Sequence, residues 1–184
     1  MKPPFPEGCW DVLLIDPPWS YYGQQDKWGA AAKFYDTMAD EDITDLPIGS
    51  LMSNRSVAFI WATGPRLDFA VDSMRSWGLH YRGVAFVWVK TRLDGTPIGA
   101  QGVRPSIVKP TTEFVLAASP IRTGRPLPLS SESIRQVVLA PRRKHSQKPD
   151  EVHERIEAMY PTARRLELFA RSKRAGWDCW GDEV

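Results

Sequence analysis

Cysteine is nearly missing from this chain: Cys9 and Cys179 are the only two in 184 residues. They lie near opposite ends and lack metal-ligand spacing, so neither a disulfide framework nor a structural zinc site is expected. The three histidines, His80, His145 and His153, are too scattered for a metal centre. No apolar run approaches the roughly 18 residues that a membrane span requires, and Met1–Pro6 has no apolar signal core. The expected setting is therefore the reducing cytoplasm, with no metal and no membrane partner. Other absences narrow the chemistry. The chain contains no G-x-G dinucleotide fingerprint, no G-K-[ST] phosphate loop, no H-E-x-x-H and no G-x-S-x-G elbow.

What is present is ordinary in amount and uneven in placement. The length suits one domain with a sizeable core, and residues 1–184 are read as a single catalytic domain. Net charge is only +2. Residues 1–81 carry 6 Lys/Arg against 11 Asp/Glu, residues 82–148 carry 12 against 3, and residues 149–184 carry 6 against 8. A basic block in an otherwise near-neutral chain suits a polyanionic partner, although a solvated basic face would look the same.

The apolar run Asp11–Asp16 reads as a buried parallel strand that stops at two prolines. Asp40 reads as the N-cap of a short helix reaching about Leu46, and Ser56–Ala62 as a second buried strand. Pro65 suits the first turn of a helix that Gly78 closes, with Leu67, Ala70, Met74 and Trp77 on one face. Strands are expected at His80–Lys90, Thr112–Ala118, Gln136–Ala140 and Arg165–Ala170. Thr91–Thr111, Ile121–Ser133 and Pro141–Lys148 read as loops. Pro149 opens a helix with Val152, Ile156 and Met159 inward. Strands alternating with helices favour an α/β fold, a mostly parallel sheet with helices on both faces. In such sheets ligands sit beyond the carboxyl ends of the strands.

At one such end stands Asp16-Pro17-Pro18-Trp19. An exocyclic adenine amine is a poor nucleophile, because its lone pair is delocalised into the ring. A carboxylate and a rigid carbonyl accepting its two N–H groups would localise density on nitrogen. Proline offers the carbonyl without a competing N–H and fixes φ. An aromatic side chain offers a surface for an extruded base to stack on. The same four residues would also serve as a plain strand terminator with Trp19 in the core.

Ile15–Trp19 (IDPPW), Phe59–Thr63 (FIWAT), Phe86-x-Trp88-x-Lys90, Thr112–Leu116 (TEFVL), His145–Asp150 (HSQKPD), Leu166–Arg171 (LELFAR), and finally Gly176-Trp177 with Trp180-Gly181 occur in that order. Together they resemble the MT-A70 family of N6-adenine methyltransferases, related to the catalytic subunit of the mRNA adenosine methyltransferase and with compact bacterial and phage members. The resemblance spans nearly the whole chain. It implies a Rossmann-like methyltransferase fold and S-adenosyl-L-methionine as cofactor. It implies that Asp16, Pro17, Pro18 and Trp19 hold the target adenine, with Asp16 also facing the cofactor. Lys148 would approach the cofactor's methionine carboxylate, and Arg171 its ribose or edge. Asp182 and Glu183 stand where the family often has Gly-Asn-Gln or Gly-Asn-Glu contacts. Larger members carry an acidic cofactor contact upstream of the catalytic strand. Only ten residues precede Asp11, so this contact is expected to be missing or supplied differently.

Substrate contacts are expected from Tyr21 and Tyr22 in the loop after the catalytic motif and from Arg142, Arg143 and Lys144. The expected reaction is methyl transfer to the N6 amine of adenine in DNA. The alternatives are the same chemistry on RNA, or a non-catalytic nucleic-acid-binding subunit, which would be expected to have lost Asp16 or Trp19. A homodimer or a partner subunit would add the surface that so small a domain lacks.

Overall fold

The computed structural model describes residues 4–19, 38–99, 107–143 and 147–184. Seven strands form one sheet: β1 (Trp10–Ile15), β2 (Met52–Thr63), β3 (His80–Thr91), β4 (Thr112–Ser119), β5 (Val137–Pro141), β6 (Arg165–Leu168) and β7 (Asp178–Trp180). Their spatial order is β5-β3-β4-β2-β1-β6-β7. β1 pairs in parallel with β2 and β6, β6 with β7, and β3 with β5. Only β4 runs against its neighbours β2 and β3. The sheet is therefore mostly parallel, as the apolar strands imply, with one reversed strand inserted near its middle.

Alternation along β1 and β2 builds two cores. Leu13, Ile15, Ala58, Ile60 and Ala62 face one side, where α1 (Asp40–Thr44) and α2 (Leu67–Ser76) contribute Ile43, Ala70 and Met74. Val12, Leu14, Val57, Phe59 and Trp61 face the other, against Val152 and Ile156 of α3 (Asp150–Met159). Each such aliphatic side chain, fully buried, contributes about 1.5–3 kcal/mol. Both faces of the central strands are dry, so their residues are apolar almost without interruption.

Several boundaries differ from the sequence reading. Ala39, not Asp40, is the N-cap of α1. The Asp40 carboxylate instead pairs at 2.6 Å with the buried Arg66 guanidinium, an ion pair that outcompetes a local cap. Pro65 lies in a 3-10 turn, Gly64–Arg66, and α2 starts at Leu67. Trp77 sits just past α2 and its indole N–H donates to the Ile43 carbonyl at 2.9 Å, tying α1 to α2. β2 begins at Met52, four residues earlier than expected. β6 stops at Leu168 because Phe169 turns to φ +65°. β7, in the tail, was not foreseen. It exists because a chain leaving that turn can return alongside β6, where Ala170 N–H donates to the Trp180 carbonyl at 2.9 Å. A side chain on Gly181 would collide with the Ala170 backbone, so the Trp-Gly pair marks this close approach.

Candidate active site

The C-terminal ends of β1, β2, β3 and β6 meet the N-terminal end of the reversed β4. On the face packed by α3, the inward file Val12–Leu14 of β1 is followed by Asp16. The prolines then end the strand. Pro17's carbonyl accepts from Trp19 N–H at 2.8 Å, and Pro18's from Met38 N–H at 3.3 Å. A carbonyl has two lone pairs, so each keeps one for a further donor.

Trp19 is turned inward and is 5% exposed. Its indole N–H donates to the Trp61 carbonyl at 3.0 Å, and its ring meets Phe69 edge-on at 5.7 Å. Trp19, expected to hold the target adenine, here lies beneath the motif and anchors it to β2.

Lys148 stands just before α3, with Nζ 2.9 Å from Asp16 Oδ2 and 3.5 Å from Glu113 Oε2. Lys90 Nζ lies 2.6 Å from Glu113 Oε1. Carboxylates and ammonium groups thus alternate along Asp16, Lys148, Glu113 and Lys90, all with side chains a fifth exposed or less. The indole rings of Trp61 and Trp88 lie near the two ammonium groups, at 5.3 and 5.1 Å. Burial raises the Asp16 carboxyl above the ordinary aspartate value, against the pull of Lys148. Burial acts on Glu113 too, but Lys148 and Lys90 outweigh it and hold its carboxyl below the usual range. On β2, Thr63 is the register partner of Glu113, and its buried hydroxyl has no partner among the described residues.

Beside Asp16 opens a cavity of about 280 Å3, lined by Lys148, His153, Glu167, Phe169, Arg171 and the 172–174 turn. Glu167 faces it from β6, its Oε2 3.0 Å from His153 Nε2. Cations and carboxylates share this one cavity, which matches a zwitterionic amino-acid group with a polar sugar attached. Arg171 lies at the rim, 3.9 Å from Glu183. Asp182 and Glu183 are exposed and do not line the cavity. Arg142 is exposed, and Arg143 pairs with Asp150 at 2.6 Å. Tyr21, Tyr22 and Lys144 lie outside the described residues.

The structure thus brings together Asp16, Lys148 and Arg171 among the expected residues. It adds Glu113, Lys90, His153 and Glu167. Period-2 reading of β3 offered a signal for Lys90: it follows the inward file Phe86 and Trp88, where a surface lysine would not belong.

A family model described as MT-A70 matches residues 10–183. The chain is 31% identical over 201 residues to the type II methyltransferase M.MunI of Mycoplasma sp, covering 99% of this chain and 81% of that protein. It is 30% identical to an N(6)-adenosine-methyltransferase MT-A70-like protein of Arabidopsis thaliana, covering 96% of this chain and 24% of that one. To the N6-methyladenosine RNA methyltransferase MTA1 of Pyricularia oryzae it is 28% identical, over 95% of this chain and 46% of that protein. The order of motifs, the Asp-Pro-Pro-Trp strand end and the match along almost the entire chain agree: this protein belongs to the MT-A70 family.

Proposed function

We propose that this chain transfers a methyl group from S-adenosyl-L-methionine to the N6 amine of adenine in DNA. The observation that carries the reading is the placement of Asp16, at the end of β1, between Lys148 at 2.9 Å and the mixed-charge cavity. DNA is preferred over RNA because the chain covers 81% of the type II methyltransferase but 46% or less of the two relatives named for adenosine.

Asp16 and the remaining lone pairs of Pro17 and Pro18 accept the two amine N–H groups and aim the nitrogen at the cavity. Trp19 fixes this turn from below through Trp61. Lys148 and Arg171 suit the carboxylate and ribose of the cofactor. Asp16 and Glu167 suit its ammonium, and Glu183 lies 3.9 Å from Arg171 at the rim. When bound, the cofactor supplies an electrophilic methyl on sulfur. Alignment carries much of the rate in such an in-line transfer. The methylated nitrogen is acidic enough to lose its proton afterwards, so Asp16 serves as a hydrogen-bond acceptor and must be ionised. The exposed Arg92, Lys109, Arg122 and Arg142 are suited to phosphate contacts that position a strand without reading it. In sequence, Tyr21 and Tyr22 follow the Asp-Pro-Pro-Trp motif, and Arg143 and Lys144 follow Arg142.

Incubation with labelled cofactor and matched DNA and RNA oligonucleotides, followed by nucleoside mass spectrometry, tests the proposal. N6-methyldeoxyadenosine is the expected product. Methylation of RNA alone would reverse the polymer assignment, and methylation of neither would refute the activity.

A further inference from the structure

One ammonium spans two carboxylates in this site, and they come from strands on opposite sides of β2. Lys148 Nζ is 2.9 Å from Asp16 Oδ2 and 3.5 Å from Glu113 Oε2. Lys90 holds the other oxygen of Glu113, Oε1, at 2.6 Å, so Oε2 stays turned toward Lys148. All four of these side chains are 15–20% exposed, too dry for any of them to give up its partner cheaply.

This arrangement answers a problem that the proposed reaction creates. In the free site Lys148 occupies an oxygen of Asp16 that the adenine amine needs. A neutral N–H donor competes poorly with an ammonium for a carboxylate, because it lacks the full opposite charge whose Coulomb attraction is strong in a dry site. Driving the ammonium off into an apolar surround would leave two unpaired buried charges. A second carboxylate within a short side-chain movement removes that difficulty.

We propose that Glu113 is a positioning residue that gives Lys148 a second seat, so that the ammonium shifts from Asp16 toward Glu113 as the adenine amine arrives. Asp16 then accepts the amine while every buried charge keeps a partner. Lys90 makes the seat permanent by fixing Glu113 from its far side. No covalent bond changes in this step. The inference rests on the adenine reading above.

The test uses the full chain and two readouts. The first is the titration of the Asp16 carboxyl in the free protein, followed by carbon-13 NMR. The second is steady-state methylation of the oligonucleotide that the wild type accepts. The charged groups facing Asp16 are Lys148, Glu113 and Arg171, with Lys90 one step further. Glu113→Gln removes the second seat but keeps its shape. Lys148 then settles on Asp16 alone, and the Asp16 titration moves to lower pH. kcat is expected to fall about tenfold or more while KM for S-adenosylmethionine changes less than about twofold. Lys148→Met moves the Asp16 titration the opposite way. Glu113→Asp restores the charge and recovers part of kcat, and it decides the matter if the glutamine variant proves unfolded by circular dichroism. Unchanged kcat in Glu113→Gln, or an Asp16 titration that stays put or rises, overturns the proposal. A wild type that methylates no adenine overturns the adenine reading instead, and the titration on the free protein still decides whether Lys148 has two seats.

Discussion

The two sides of the sheet about β1 are built for different tasks. Toward β6 and β7 the strands are short and parallel, and the chain bends sharply at Phe169, leaving a cavity beside Asp16. Toward β2, β4 and β3 the strands run 8–12 residues, and one of them is reversed. That reversal matters chemically. Parallel strands present only their carboxyl ends at a ligand site. β4 presents its first residues there instead, and so brings Glu113 opposite Lys148 and Lys90. One side offers room with unlike charges around it, and the other offers charges already paired. A cofactor pocket needs the first arrangement, and the exact aim of a nucleophile needs the second.

The comparison would break most completely at Asp16, which serves both sides. Asp16→Ala removes the acceptor and leaves Lys148 nearest Glu113. Activity on the accepted oligonucleotide should fall by at least about 100-fold, the scale of losing one preorganised hydrogen-bonding group in an active site. The protein should remain folded, because burial raises the Asp16 pKa and its ionised form therefore costs stability rather than adding it. On the proposed mechanism the ionised form is the active one. Activity should thus fall as pH drops through the Asp16 value, with the acid limb above the ordinary aspartate range. An active Asp16→Ala protein would falsify the mechanism.

The two sides were unequally legible in the sequence. β1 announced itself as a continuous apolar run with a carboxylate and two prolines at its end. Lys148 and Arg171 followed from motif order, and both lie at the cavity. Glu113 and Lys90 sat in recognised pieces but received no role. Their pairing depends on β4 lying between β2 and β3 in reverse, and strand order is a long-range property that local periodicity does not encode. The inward turn of Trp19 was hidden for a related reason. An aromatic after a proline turn can point either way, and only the position of the Trp61 carbonyl settles that it points in. Phe169 hid the end of β6, since a bulky residue at positive φ is not signalled by propensity. β7 is too short to carry a strand pattern.

Gly181 tests the cavity side without touching the charges. Its Cα lies so close to the Ala170 backbone that an added methyl has to displace main chain. Gly181→Ala should cost about 1–3 kcal/mol, as overpacking against rigid neighbours does, read as a lower midpoint in urea. The displaced turn carries Phe169 and Arg171, so cofactor affinity by calorimetry should weaken with it. Glu113 and Lys90 lie on β4 and β3, beyond β2 from this turn, so their ion pair should be kept. If affinity holds while stability falls, the turn supports the sheet but not the cavity.

The smallest effect is expected where charge pairing is exposed. Arg143 and Asp150 are 2.6 Å apart, yet their side chains are 41% and 47% exposed, whereas Lys90 and Glu113 are 19% and 15% exposed at the same 2.6 Å. Equal distances here do not mean equal energies, because water screens the first pair and releases little when it breaks. Arg143→Ala should therefore change stability by no more than about 1 kcal/mol. Asp150 keeps Arg174 at 3.2 Å as a second partner, which reduces the loss further. If Arg143 meets phosphate when substrate binds, the same substitution should weaken oligonucleotide binding and lower the slope of log K against log salt by about one. Unchanged salt dependence would assign Arg143 to the start of α3 alone and leave phosphate contact to its neighbours.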